Sequence, residues 1–417
     1  MTATDPATYV EANQSDLVDL ALDLLAVDTS NPPGDTTALA DLIEAYLEPL
    51  PVDVARHTVD PAKPNLLVTV PGETDDTLLY NGHLDTVPFD GGQWSYAPLG
   101  ERVDDRIYGR GATDMKGALA AMLFTVTAFA ETGTTPPITL QFAFVSDEEI
   151  GGDAGLPALL DAGVLDADAC VIGEPTCEAG RHSVTVADRG SIWLTLAARG
   201  EAAHGSRPVL GENAIDRLYG AITTLRERFG QRHLDIETDV AAILEESVAY
   251  YAPTMGEETA RDLFRSPSIN LGTIEGGEAV NSVPQSASAQ VDIRLTAGVD
   301  TSAMLSEIRS CVEDCDGIAI TDVSWSVGTV VPIDSPVVEA TASTAHAVSG
   351  ERVYRRSATG GGDAKQLRNA GIPTVEFAFG TDTVHAVDEY TTVGALVDNA
   401  AVYASLPRAF ADAVASA

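Results

Sequence analysis

Short apolar runs of strand length alternate with segments of helical spacing, and each run halts at a polar or glycine-containing motif. The runs span residues 65–70, 78–81, 138–145 and 169–172; helices are predicted over 13–26, 36–47, 116–130 and 156–162. Such alternation predicts an α/β fold in which a mostly parallel sheet lies between helices, with ligands held beyond the carboxyl ends of the strands. Acidic or histidine-bearing motifs follow three of the runs. They are Gly82-His83-Leu84-Asp85, Asp147-Glu148-Glu149-Ile150-Gly151-Gly152 and Gly173-Glu174-Pro175-Thr176.

The pattern changes after about Arg181. Residues 191–198 alternate like a half-exposed strand, and 213–229 form an amphipathic helix. Strands at 268–274 and 286–295, a helix at 301–312 and a strand at 318–325 complete a β-α-β-β-α-β order, the ferredoxin-like layout. Residues 231–264 read as a mobile or helical insertion. From Val331 the α/β pattern returns, with helices at 337–348 and 364–370, a strand at 374–379 and then His385. The expectation is therefore a catalytic domain of residues 1–180 plus 331–417, interrupted by a smaller α+β domain of residues 181–330. Two domains also suit 417 residues, a length beyond what one core usually organises.

Charge excludes one class of partner. There are 63 acidic against 24 basic residues, a net charge of −39, and Lys63, Lys116 and Lys365 are the only lysines. Phosphate contacts need a basic face, so nucleic-acid binding is not expected. The acids are dispersed, and such self-repulsion disfavours a compact chain. Near 1 M salt the screening length shrinks to about 3 Å and the repulsion largely vanishes. Adaptation to a salt-rich cytoplasm is the reading adopted, with an acidic partner-binding surface as the weaker one. No run is long enough to span a bilayer and no charged-then-apolar leader opens the chain, so no membrane association and a cytoplasmic location are expected. Cys170, Cys177, Cys311 and Cys315 form no Cys-x-x-Cys pair and read as reduced packing residues.

Residues i and i+2 of an extended segment share a face, so His83 and Asp85 leave the 78–81 strand together. About thirty residues on, Gly109-Arg110-Gly111-Ala112-Thr113-Asp114-Met115-Lys116-Gly117 sets Asp114 just before a helix. The candidates at sheet ends are then His83, Asp114, Glu148, Glu149, Glu174 and His385. Two imidazoles with several carboxylates suit a pair of divalent ions, and a carboxylate bridging ions about 3.5–4 Å apart is the usual two-metal hydrolase arrangement. Neighbouring residues of an extended loop point opposite ways, so one of Glu148 and Glu149 can ligate while the other serves as general base. His57, His182, His233 and His346 lie in no motif and read as structural.

The ordered motifs Gly-His-Leu-Asp-Thr-Val-Pro, Gly-Arg-Gly-Ala-Thr-Asp-Met-Lys-Gly, Asp-Glu-Glu-Ile-Gly-Gly, Gly-Glu-Pro-Thr and His-Ala-Val-Asp-Glu-Tyr resemble the M20 metallopeptidases, from about residue 15 to residue 405. That group holds acetylornithine deacetylase, succinyl-diaminopimelate desuccinylase, aminoacylase and carboxypeptidase G2. The resemblance implies two divalent ions, zinc or cobalt. His83 and Glu174 would complete one site and Glu149 and His385 the other, with Asp114 bridging. Asp85 would support His83, and Glu148 would be the general base. His204, in Ala203-His204-Gly205-Ser206-Arg207-Pro208, would stabilise the oxyanion, often across a dimer interface, giving the inserted domain a lid or dimerisation role. Asn281, Arg294 and the loop Gly360-Gly361-Gly362 would lie near the substrate carboxylate.

The expected activity is hydrolysis of the amide of an N-acyl amino acid by a homodimer, of the acetylornithine or succinyl-diaminopimelate type. Asn31-Pro32-Pro33-Gly34 and Gly-Gly-Gly-Asp-Ala agree with that branch. The alternatives are a metallo-carboxypeptidase or dipeptidase of the same family and a non-catalytic amino-acid-binding relative. A calcium-dependent scaffold lacks any Asp-x-Asp-x-Asp-Gly loop.

Overall fold

The computed structural model describes residues 5–177 and 180–416. They form two compact units. The first comprises residues up to Val186, Val331–Arg356 and Gly362 onward; the second comprises Ala187–Val330 and Ser357–Gly361.

The strands, in chain order, are β1 (Asp53–His57), β2 (Asn65–Val70), β3 (Thr77–His83), β4 (Glu101–Val103), β5 (Arg106–Tyr108), β6 (Thr139–Val145), β7 (Ala169–Ile172), β8 (His182–Ala187), β9 (Gly190–Arg199), β10 (Ser268–Gly276), β11 (Ser286–Leu295), β12 (Ile318–Ser326), β13 (Val353–Ser357), β14 (Thr374–Glu376) and β15 (Tyr390–Thr392). In the first unit an eight-stranded sheet runs β1-β2-β6-β3-β7-β14-β8-β13. Its centre, β6-β3-β7-β14, is parallel, and antiparallel pairs flank it. β3 is buried at every position, as a strand covered on both faces must be. On one face Leu79, Ala143, Cys170 and Ile172 pack with Leu156, Leu159, Ala364 and Leu367 of two short helices. On the other, Tyr80 stacks on Phe142 and donates its hydroxyl to the Tyr403 carbonyl of the long helix Val393–Ser416.

Helix Lys116–Thr132 is apolar nearly all round and correspondingly buried. It sits against the end of β3 because Gly82 has no side chain. A Cβ there would come within 2.7 Å of both Leu119 and Met115.

The second unit is an antiparallel sheet ordered β10-β11-β9-β12, with helices Ala214–Phe229 and Thr301–Glu313 packed on one face through Leu218, Ile222, Leu225, Leu305 and Ile308. Its element order is the ferredoxin-like one expected. The segment 231–264 contains two helices, Thr238–Met255 and Glu257–Arg265. β8 joins the large sheet beside β14, so the switch to alternating antiparallel strands begins only with β9.

Candidate metal centre

Because β6, β3 and β7 run parallel, their carboxyl ends open on one side. His83 is the last residue of β3, Glu148 and Glu149 follow β6, and Glu174 follows β7. Asp114 comes from the turn between β5 and helix Lys116–Thr132, and His385 from the loop between β14 and β15. These side chains converge in two groups that share Asp114: His83, Asp114 and Glu174, and Asp114, Glu149 and His385.

His83 Nε2 lies 3.1 Å from Asp114 Oδ1 and 3.4 Å from Glu174 Oε1. His385 Nε2 lies 3.2 Å from Asp114 Oδ2 and 3.2 Å from Glu149 Oε2. Ligands at zinc distances, about 2.0–2.2 Å from the ion, stand roughly 3.0–3.5 Å from one another, so each group has the spacing of one face of a coordination polyhedron. The two oxygens of Asp114 face different histidines, the arrangement a bridging carboxylate needs.

The charge state of the protein alone supports the same fit. Burial disfavours charge on His83, yet the hydrogen bonds its ring donates to Asp114 and Glu174 hold its pKa well above the usual value. Contacts with Asp114 and Glu149 raise His385 to about 10. Burial, then repulsion by Asp114, raises Glu174 to about 8. Burial also opposes charge on Asp114, but His385 and His83 outweigh it and hold the carboxyl far below its usual range. Protons here do the neutralising that cations do when bound.

Glu148 belongs to neither group. Burial, reinforced by Glu174, Asp363 and Glu149 and opposed by His83, raises its pKa to about 9. Its main chain is pinned by Asp85, whose carboxylate accepts the N–H groups of Glu148 (3.1 Å) and Glu149 (3.2 Å) and the Asn31 side-chain amide (2.8 Å). Asp85 touches His83 differently from the expectation. His83 Nδ1 donates to the Asp85 main-chain carbonyl at 2.8 Å, while the nearer carboxylate oxygen stands 3.8 Å away. Asp85 thus fixes the Glu148–Glu149 loop with its side chain and the imidazole with its backbone.

Gly362 matters for a similar reason. A Cβ at this position would lie 2.8 Å from Glu148 Oε1. The expected result of Gly362→Ala is a displaced Glu148 tip: turnover falls roughly tenfold while the thermal midpoint barely moves, since a flexible side chain can yield at little cost. Parallel kinetics and thermal melts check this.

The second unit carries the other candidates. Gly205 N donates to Asn281 O at 2.6 Å, so His204 and Asn281 are neighbours, and His204 Nδ1 pairs with Ser206 Oγ at 2.8 Å. Arg294, on β11, donates to Asp292 at 2.8 Å. Gly360 and Gly361 belong to this unit, Gly362 to the first.

Sequence reasoning missed several residues here. Asn31 also donates to Asp147 at 3.1 Å, and Lys63 contacts the same carboxylate. Asn81 donates to the buried Asp363 at 3.1 Å. Arg110 and Glu389 form a buried pair at 2.6 Å. The available signals were slight: Lys63 is one of three lysines in the chain, and Arg110 and Glu389 lie inside two of the motifs.

Residues 79–409 match Peptidase family M20/M25/M40. The chain belongs to this family. It is a metal-dependent amidohydrolase. Succinyl-diaminopimelate desuccinylase of Acidiphilium cryptum is 30% identical over 405 residues, covering 94% of this chain and 97% of that protein. The desuccinylase of Xanthobacter autotrophicus is 29% identical over 397 residues, covering 92% and 96%. Among solved structures, the M20 family metallo-carboxypeptidase Sso-CP2 from Sulfolobus solfataricus superposes with a TM-score of 0.78 at 20% identity, covering 95% of this chain and 99% of that one. Bacillus subtilis YXEP, described as a dinuclear metal binding peptidase of the M20 family, gives 0.66 at 16% identity, covering 95% and 98%. This M20 chain therefore shares their α/β fold.

Proposed function

We propose that this M20 hydrolase cleaves the amide bond of an N-acyl amino acid, with N-succinyl-diaminopimelate the leading substrate, in amino-acid biosynthesis. The paired ligand groups sharing Asp114 carry the reading, and the full-length likeness to desuccinylases directs the choice of substrate. His83 and Glu174 would hold one divalent ion, Glu149 and His385 the other, and Asp114 would serve both. Zinc or cobalt suits this imidazole and carboxylate set. Bound there, such ions would supply polarisation of the scissile carbonyl and a more acidic water.

The chain's own groups do the rest. Glu148 takes the proton of the attacking water and delivers it to the departing nitrogen. Asp85 holds the Glu148 main chain so that this carboxylate stays aimed. His204 stabilises the oxyanion, a role worth about 3–4 kcal/mol for one donor. Asn281, Arg294 and the glycines Gly360, Gly361 and Gly362 hold the substrate carboxylate.

A homodimer fits these roles. In the β11–β9 register Arg294 pairs with Ser191 and Ser286 with Arg199, beyond which lies His204. Eight residues of antiparallel strand at about 3.4 Å each separate the two ends by roughly 27 Å. One copy's Arg294 stands too far from its own His204 and the neighbouring Asn281 for all three to grip one small substrate, whereas a second copy supplies the missing histidine and asparagine together.

A substrate panel at high salt with added zinc or cobalt tests the activity. N-succinyl-diaminopimelate and N-acetylornithine are turned over far faster than N-acyl glutamates or dipeptides; the reverse order would make the chain a carboxypeptidase or dipeptidase.

The net charge of −39 supports a salt-adapted protein. Four free cysteines suit a reducing cytoplasm, and no helix among the described residues is long and apolar enough to cross a membrane. Dilute buffer restores repulsion over tens of ångströms, so the thermal midpoint drops markedly as salt is dialysed away. A midpoint independent of salt would contradict the adaptation.

A further inference from the structure

The two ligand groups are built differently. His83 ends a strand paired on both sides and is 2% exposed. His385 stands on a loop, with its side chain 49% exposed and its backbone at φ +60°, the left-handed region a histidine seldom adopts. What ties that loop to Asp114 is the buried pair Arg110–Glu389. Arg110 donates one nitrogen to Glu389 at 2.6 Å and another to the carbonyls of His385 (3.3 Å) and Ala386 (3.1 Å). Glu389 is fully buried and accepts the N–H groups of Gly111 (3.2 Å), Thr113 (3.0 Å) and Asp114 (3.0 Å). Trp94 covers the guanidinium, its ring centre 5.4 Å from Arg110 Cζ.

We infer that Arg110 and Glu389 are positioning residues that set the affinity of the Asp114–Glu149–His385 ion site selectively, by holding the His385 loop against the Asp114 turn. The inference rests on the two-ion reading above. It follows from where each contact falls. The carbonyls of His385 and Ala386 share one guanidinium nitrogen while the other engages Glu389, and only Arg presents two nitrogens in such fixed geometry; a lysine offers one compact charge. His83 and Glu174 touch neither residue in any of these contacts and draw their placement from β3 and from the chain beyond β7. Loosening the clamp frees His385 while leaving the other group's histidine seated.

The test uses the full-length protein at high salt, stripped of metal and titrated with cobalt under equilibrium dialysis. Arg110→Lys keeps the charge opposite Glu389 but loses the fork; Glu389→Gln keeps the volume but replaces an acceptor by a donor. Arg110→Lys is expected to bind the first cobalt equivalent within about threefold of the parent and the second about 10–100-fold more weakly, the range seen when a group orienting a metal ligand is lost. Glu389→Gln, which also loosens the turn carrying the shared Asp114, weakens the first equivalent further but the second most. Activity returns in both at excess cobalt. Unchanged affinity for the second equivalent, or equal weakening of both, overturns the inference while the two-ion reading stands. A parent that binds fewer than two equivalents overturns that reading and this inference with it. If Glu389→Gln does not fold, Arg110→Lys alone decides.

Discussion

Glu148→Ala lowers turnover by about 10³–10⁴-fold, toward the upper range for losing a general acid–base group, while the protein still binds two divalent ions. The expectation rests on the position of Glu148 outside both ligand groups. Its backbone N–H is fixed by Asp85, and its carboxyl, at about 9 in the protein alone, is raised by burial and by Glu174, Asp363 and Glu149. Bound cations would stabilise the carboxylate and draw that value down toward the working pH, where a base is most effective. Turnover measured together with metal content separates the outcomes. Substantial activity with both ions present would exclude Glu148 as the base. Loss of an ion would make it a ligand.

Stripping the ions abolishes hydrolysis, and restoring them releases protons. At pH 7 in the metal-free protein His385, at about 10, and Glu174, at about 8, both hold a proton. Each must give it up to ligate. The sign follows directly: metal affinity rises with pH through the range up to about 8, where Glu174 deprotonates unaided, and continues to rise more slowly toward 10. It falls on acidification, as protons outcompete the ion. Calorimetric titration in buffers of different ionisation enthalpy reads the number released, expected to exceed one per chain at pH 7. Ion at a hundred times its Kd also stabilises the fold by about 2.7 kcal/mol, visible as a higher thermal midpoint. Proton-neutral binding would show that other residues hold the metal.

Legibility from sequence followed how local each determinant is. His83 and Glu174 could be placed because the apolar runs before them read as buried strands, and Asp114 because glycines precede it and a helix follows. The M20-like motifs then supplied their grouping. β1 was not legible, since it is an exposed edge strand without alternation; β4, β5 and β15 have three residues each and exist through pairing. β8 lies just past the point where the pattern changes, and nothing local tells a chain which sheet a strand joins. The contacts of Asn31 with Asp85, Asn81 with Asp363 and Arg110 with Glu389 join residues 54, 282 and 279 positions apart. Only the fold brings such pairs together. The resemblance named Asp85 as a support, but its division of labour between carboxylate and carbonyl depends on backbone direction at the end of β3.

Anomalous diffraction from crystals of the cobalt- or zinc-loaded protein at high salt tests the central claim most directly. The account predicts two peaks about 3.5–4 Å apart, with Asp114 reaching both, His83 and Glu174 on one, and Glu149 and His385 on the other. A single peak, or two peaks that do not share Asp114, would contradict it.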